Sequence, residues 1–139
     1  MKATLMFFYG CMMVLLLSCK IAPKEIQYGT DMCHSCQMTI VEKTHASEIV
    51  TKKGRAYKYD AIECMLQDLD KRDVSKIELF LVTDYSNPAT LIRAKEATFL
   101  VSKEIKSPMG ANLSAFANKE AINVPGEQFN WDEINDYIK

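Results

Sequence analysis

Two cysteines and a methionine stand close together in the segment CHSCQM, at Cys33, Cys36 and Met38. Cysteine pairs with this spacing occur in structural zinc sites, in thiol–disulfide enzymes and in copper sites. A thioether is a poor ligand for zinc and a good ligand for Cu(I), because both partners are soft. It also cannot form a disulfide, which suits a metal site in an oxidising compartment. The C-x-M unit therefore favours Cu(I) as the bound metal.

Zinc and redox chemistry stay open as alternatives. A structural zinc site needs four ligands, and the chain has a single C-x-x-C pair, so His34, His45 or Cys64 would have to complete it. In thioredoxin-like enzymes the pair opens a helix, whose N-terminus lowers the thiol pKa. Here the β-branched stretch MTIV follows the pair, which indicates a turn leading into a strand. A plain disulfide between the two cysteines of the pair is the third alternative.

Other residues are candidates for completing a copper site. If the backbone is extended from Cys36, Met38 shares its face, because residues two apart in a strand point the same way. Met109, between a proline and a glycine on a predicted loop, is a candidate further ligand. Cys33 ranks second as a ligand, or is a thiol that exchanges metal. Cys64, in a predicted helix, is expected to pack as a small apolar residue.

The N-terminal segment has the pattern of a lipoprotein signal. Lys2 precedes an apolar run of about fifteen residues, which is short for a membrane span of about 20. The run ends in Leu-Leu-Ser-Cys19, which resembles the site where bacterial lipoproteins are cleaved and lipidated on cysteine. We therefore predict a signal peptide over 1–18, a membrane tether over 19–27 and one domain over 28–139. An uncleaved anchor helix is the alternative.

The remaining composition narrows the function further. The formal net charge of the whole chain is −1, and no cluster of Lys and Arg is interleaved with aromatics, so nucleic acid is an unexpected partner. Once Cys11 leaves with the signal and Cys19 carries lipid, three of the five cysteines remain. An odd number of thiols in an oxidising compartment leaves one unpaired or indicates that the thiols bind something.

The elements that must position these residues form an α+β pattern with mainly antiparallel strands and two or three short helices. Hydrophobic patterning predicts extended segments over 38–41 and 46–51, a hairpin at Gly54 and a helix over 61–70. Strands are predicted over 76–82, 91–94 and 97–102, a loop over 106–116 and a short helix over 119–122. Asp60 with Glu63 and Asn130 with Glu133 predict capping boxes at two helix starts.

The ordered motifs resemble the NosL family of membrane-anchored copper chaperones. These motifs are CHSCQM, YKYDAIECM, VTDY and SPMGANLSAFANKEA, spread from Asp31 to Ala121. The resemblance implies Cu(I) binding at Cys36 and Met38, and a fold partly like that of organomercurial lyase. The chain departs from the family pattern at Gln37, where glycine is usual, and at His34, where proline is frequent. These departures leave open whether His34, His45, Met109 or Cys33 supplies a further ligand.

The resemblance also implies a role without catalysis. We expect an envelope lipoprotein facing the periplasm that delivers Cu(I) for maturation of nitrous oxide reductase by ligand exchange. The recipient would be an ABC-type transporter complex or the reductase itself. An enzyme like organomercurial lyase is the alternative, with Cys36, Cys64 and Asp60 in the reacting roles.

Overall fold

The computed structural model describes residues 20–139, so the predicted signal peptide and Cys19 lie outside the described residues. The described chain has two α-helices and two antiparallel sheets, which confirms the α+β prediction. Neither of these helices is long and apolar enough to cross a membrane.

The first sheet carries the predicted hairpin. Its strands are β1 (Ser47–Thr51), β2 (Ala56–Tyr59), β3 (Ile77–Thr83) and β4 (Leu91–Arg93), in the order β2-β1-β3-β4. Gly54 closes the turn between β1 and β2 at φ +78°, a conformation that glycine adopts without a steric cost. The hydrophobic run of β3 is an inner strand of this sheet, and all of its residues except Glu78 are buried.

The second sheet was only partly expected. It consists of β5 (Thr98–Val101), β6 (Leu113–Phe116) and β7 (Glu127–Phe129), in the order β6-β5-β7. The prediction of a loop throughout 106–116 is wrong for its last four residues. That stretch is a strand because it pairs along the whole of β5 and is buried by it, from Thr98 opposite Phe116 to Val101 opposite Leu113.

The two helices begin differently. Helix α1 (Ile62–Leu69) has Ala61 as its N-cap residue and no side-chain cap, so the capping box predicted from Asp60 and Glu63 is wrong. Helix α2 (Trp131–Tyr137) has the predicted capping box of Asn130 and Glu133. Short 3₁₀ turns cover Val74–Lys76, Ala94–Glu96 and Lys119–Ala121, the last in place of the predicted short helix.

The chain before the cysteine pair crosses the first sheet on its outer face. Ile21 packs against a small apolar cluster formed by Val50, Leu79 and Leu81. The Lys24 N–H donates to the buried carboxylate of Glu48 at 2.8 Å. The described part of the predicted tether is therefore held against the domain, while the main core lies on the opposite face of the sheet.

Candidate metal centre

Three thiols meet where the cysteine-bearing turn contacts the start of α1. The sulfur atoms of Cys33, Cys36 and Cys64 all lie within 4.8 Å of one another. Cys33 and Cys64 are buried, whereas Cys36 is partly exposed, and none of the three is in a disulfide. The site is therefore a thiol cluster of three cysteines with one member open to solvent.

Backbone hydrogen bonds fold the segment from Cys33 to Met38 into a tight turn. The Cys33 N–H donates to the Met38 carbonyl at 2.8 Å, and the Gln37 N–H donates to the Cys33 carbonyl at 3.0 Å. The Cys36 N–H points at the Cys33 sulfur, 3.5 Å away. The His34 N–H donates to the Lys58 carbonyl of β2 at 2.8 Å, which fixes the turn to the first sheet. As predicted, the pair lies on a turn and does not open a helix.

The extended geometry expected from Cys36 onward is not present. Gln37 lies in the left-handed region at φ +64°, and beyond it the segment makes a single antiparallel bridge, between Met32 and Thr39. The strand argument for placing Cys36 and Met38 on one face is therefore wrong, because the chain reverses at Gln37 first. Met38 is 50% exposed beside the cluster. Its role as a ligand stays a prediction.

Met109 lies on a turn that is attached to the helix of the third thiol. The Gly110 N–H donates to the Ser107 carbonyl at 3.0 Å, and Met109 between them is 43% exposed. The buried carboxylate of Glu63, the residue before Cys64, accepts hydrogen bonds from the Ser107 hydroxyl and from the Ala111 N–H at 3.3 Å. Both ends of the Met109 turn are thus bonded to the residue that precedes Cys64. Met109 as a ligand also stays a prediction.

Charge in the cluster concentrates on one sulfur. The Cys64 thiol donates a hydrogen bond to Cys33, and backbone N–H groups of Cys36, Asp60 and Ser35 add to it, so the pKa of Cys33 lies well below its usual value. The bond to Cys33 and burial raise the pKa of Cys64. Burial, with the Cys33 charge, raises the pKa of Cys36. Negative charge in the cluster is therefore favoured on the Cys33 sulfur rather than on Cys36 or Cys64.

An acid lies beside the thiols. Asp60 is 2% exposed, and its Oδ1 atom has no hydrogen-bond partner among the described residues. Burial, and the nearby charge of Cys33, raise the pKa of this carboxyl. The structure therefore also brings together the residues of the enzyme alternative, Cys36, Cys64 and Asp60.

The two histidines lie in different surroundings. His34 is exposed and its ring contacts the edge of Tyr57, with the centroids 4.7 Å apart. His45, by contrast, is buried, with 2% of its surface exposed. Its Nδ1 atom shares a hydrogen bond with Thr44 at 2.9 Å, and burial lowers its pKa. Neither belongs to the group of ligand atoms found in the described chain.

Cys64 is the member of the site that sequence reasoning did not assign. Spacing gave no indication, because Cys64 lies 28 positions after Cys36, with two strands between them. The odd number of thiols was the available signal. In the structure the first turn of α1 directly follows β2, to which the cysteine turn is hydrogen-bonded, and this brings Cys64 to the pair.

The fold and the site together define a small α+β domain with a buried thiol cluster suited to a soft metal. The sequence model of the NosL family matches residues 23–130, and the chain belongs to that family. Its fold is similar to the crystal structure of the copper chaperone NosL from Shewanella denitrificans, with a TM-score of 0.70 and 23% identity. The match covers 82% of this chain and 96% of that one. No curated protein shows significant sequence similarity to the chain.

Proposed function

We propose that this protein is an exported, membrane-anchored chaperone that binds Cu(I) as cargo and delivers it for maturation of nitrous oxide reductase. The observation that carries the proposal is the cluster of three thiols within 4.8 Å in a member of the NosL family. Thiolates are soft donors of the kind that Cu(I) prefers. Three such donors are one short of the four that structural zinc takes.

The thiol cluster suits transfer by ligand exchange. Cys33 provides a thiolate before the metal arrives, held by hydrogen bonds from its neighbours. Cys36 is the partly exposed thiol, so an incoming donor from a recipient reaches the metal from its side. The thioethers of Met38, two residues after Cys36, and of Met109, on the turn bonded to Glu63, are exposed and offer soft donors for the entering and departing ion. No change in the oxidation state of copper is needed.

Anchoring and delivery rest on the sequence. Cys19 at the end of the apolar run is the proposed lipidated residue, which would hold the domain at a membrane of the envelope and facing the periplasm. The proposed recipient is the ABC-type transporter complex of nitrous oxide reductase maturation, or the reductase itself.

Competition for Cu(I) tests the site. Protein reduced under anaerobic conditions is titrated with Cu(I) against a chromophoric chelator. One equivalent should bind. Loss of a group that only supports a ligand lowers metal affinity by roughly 10–100-fold, and Cys36→Ser should lower it by more than that. Met38→Ala should weaken it by about tenfold or more. Met32→Ala is the matched control, because Met32 is equally exposed and lies outside the C-x-M unit.

Two outcomes would overturn this assignment. Full copper affinity in a Cys36→Ser, Met38→Ala double variant would show that copper binds elsewhere. A preference for Zn(II) over Cu(I) in the reduced protein would replace the chaperone with a structural zinc protein. The enzyme alternative is tested with an organomercurial substrate. Release of mercury by the wild-type protein, and loss of that release in Cys64→Ser, would favour a lyase.

A further inference from the structure

Lys58 of β2 is bonded to the chain on both sides of the first cysteine of the thiol cluster. Its carbonyl accepts from the His34 N–H at 2.8 Å, and its ammonium donates to the Asp31 carboxylate at 2.6 Å. Cys33, which is buried, lies between Asp31 and His34 in the chain. One residue of the sheet edge therefore binds the start of the cysteine turn twice, once through its backbone and once through its side chain.

The same ammonium also binds the segment before the turn. We define the strap as residues 20–31, which cross the outer face of the first sheet. The Lys58 ammonium donates to the Glu25 carbonyl of the strap at 2.5 Å. Glu48, the cross-strand neighbour of Lys58 in β1, accepts from the Lys24 N–H at 2.8 Å. The strap and the cysteine turn thus share one cationic group.

The ion pair of Lys58 with Asp31 is partly shielded from water. The two side chains are 20% and 27% exposed, whereas those of the Lys76–Asp73 pair are 77% and 52% exposed. Burial raises the pKa of Asp31, but hydrogen bonds from the Lys58 ammonium and the Gln27 N–H outweigh it and leave that pKa below its usual value. Shielded, charge-assisted bonds of this kind are stronger than exposed ion pairs, which contribute little.

We propose that Lys58 is a positioning residue for copper binding, because it joins the strap to the cysteine turn and so keeps Cys33 and Cys36 in the arrangement that takes Cu(I). This role rests on the copper binding proposed above. Loss of a group that orients metal ligands lowers metal affinity by roughly 10–100-fold. Lys58 acts through Asp31 and not on a ligand directly, so we expect about tenfold, the lower end of that range. By linkage, bound Cu(I) should hold the strap on the sheet by the same factor.

Competition for Cu(I) in the reduced protein measures the first effect. Lys58→Met keeps a long side chain and removes the ammonium, and it should weaken Cu(I) binding by about tenfold. Lys58→Arg retains a cationic donor and should restore most of the affinity. Lys76→Met is the matched control, because Lys76 also pairs with an aspartate and its carbonyl also accepts a backbone N–H. It should bind Cu(I) as the wild type does.

Hydrogen exchange of the strap is a readout that a merely structural role would not move. The Lys24 and Gln27 amides are bonded to Glu48 and Asp31 while the strap is docked. In the wild type, Cu(I) should slow their exchange by about tenfold relative to the apo protein. In Lys58→Met this slowing should disappear. The Glu133 amide at the start of α2, which is bonded to Asn130, should exchange equally with and without copper in both proteins.

Asp31→Asn is a second variant that serves where Lys58→Met does not fold. It leaves an oxygen for the Gln27 N–H and removes the charge that faces Lys58, so it should weaken Cu(I) binding in the same direction by a smaller factor. Wild-type affinity in the folded variant, or copper-dependent slowing of strap exchange that persists in it, would overturn the role of Lys58 and leave copper binding in place. A wild-type protein that binds no Cu(I) would instead overturn the proposed function.

Discussion

The two helices begin with the same kind of sequence and use it differently. Asn130 and Glu133 form a reciprocal cap, in which the Asn130 side chain accepts from the Glu133 N–H at 3.0 Å and the Glu133 carboxylate accepts from the Asn130 N–H at 2.8 Å. Asp60 and Glu63 have the same spacing and make neither bond. Glu63 instead binds the two ends of the Met109 turn.

The difference between the two helix starts follows from burial. At α2 the cap is exposed, so the local hydrogen bonds have no competitor. At α1 both acids are 2% exposed, and Glu63 accepts hydrogen bonds from Ser107 and Ala111 rather than from its own helix start. The Ser107 hydroxyl and the Ala111 N–H would be buried without partners if Glu63 capped its own helix, and such groups cost more than a lost cap. The capping pattern is therefore overridden at α1, where the chain forms the candidate site.

Removing the two glutamates in turn should separate these roles. Glu63→Ala should lower the free energy of unfolding by about 2–3 kcal/mol, because it leaves buried donors unpaired. Glu133→Ala should cost only about 0.5–1 kcal/mol, the value of one exposed hydrogen bond. Urea denaturation of the apo protein measures both. Equal costs would mean that Glu63 contributes no more than a cap does.

Glu63→Gln sharpens the result. The amide keeps one oxygen able to accept from Ser107 or Ala111, so most of the stability should return. If the Met109 turn contributes to the copper site only while it is bonded to α1, Cu(I) affinity should fall in Glu63→Ala and recover in Glu63→Gln. Glu133→Gln should leave that affinity unchanged. Wild-type affinity in Glu63→Ala would show that the Met109 turn takes no part in the site.

Sequence alone predicted the elements that depend on local patterning. The β1–β2 hairpin, the buried run of β3 and the helix around Met65 follow from hydrophobic period and one turn glycine. Strands β6 and β7 were missed, because β6 is defined by its pairing with β5 and β7 is a three-residue polar strand with a weak signal.

The sequence predicted the kind of metal better than it predicted which residues form the site. The C-x-M unit indicated a soft metal before any fold was known, and the cysteine turn was correctly placed outside a helix. Cys64 and Glu63 could not be assigned, because their roles depend on contacts with residues about 30 to 50 positions away along the chain. Such contacts are set by the sheet topology, which no local pattern contains.

The buried histidine gives the thiol end a pH response. Burial lowers the pKa of His45 below that in the unfolded chain, despite Glu42 and Glu63 nearby. The unfolded state therefore binds more protons as the pH falls below about 6.5, and stability decreases with it. One such proton gives a slope of at most about 1.4 kcal/mol per pH unit. Urea denaturation from pH 7.5 to 5.5 measures this slope.

His34→Asn and His45→Asn provide the comparison for this slope. Asparagine at position 45 retains a group able to bond Thr44 and removes the titrating ring, so the slope below pH 6.5 should become shallower. The same change at the exposed His34 should leave it as in the wild type. An unchanged slope in His45→Asn would assign the acid sensitivity to other groups.

The smallest expected effect concerns Gln37 in the cysteine turn, whose side chain does make a local hydrogen bond. Gln37 pays about 1–2 kcal/mol for its left-handed backbone, and its Nε2 donates to the His34 carbonyl at 3.0 Å. Gln37→Gly relieves the strain, loses that bond and loosens the unfolded chain, so the net change should stay within about 0.5 kcal/mol. Ala89→Gly, at the same φ of 64° without a side-chain bond, should be more stable than the wild type. Urea denaturation compares the two, and Cu(I) competition should find both unchanged, because backbone hydrogen bonds fold the cysteine turn. A loss above about 1 kcal/mol in Gln37→Gly would show that the glutamine side chain holds the turn, as the Asn130 side chain holds the start of α2.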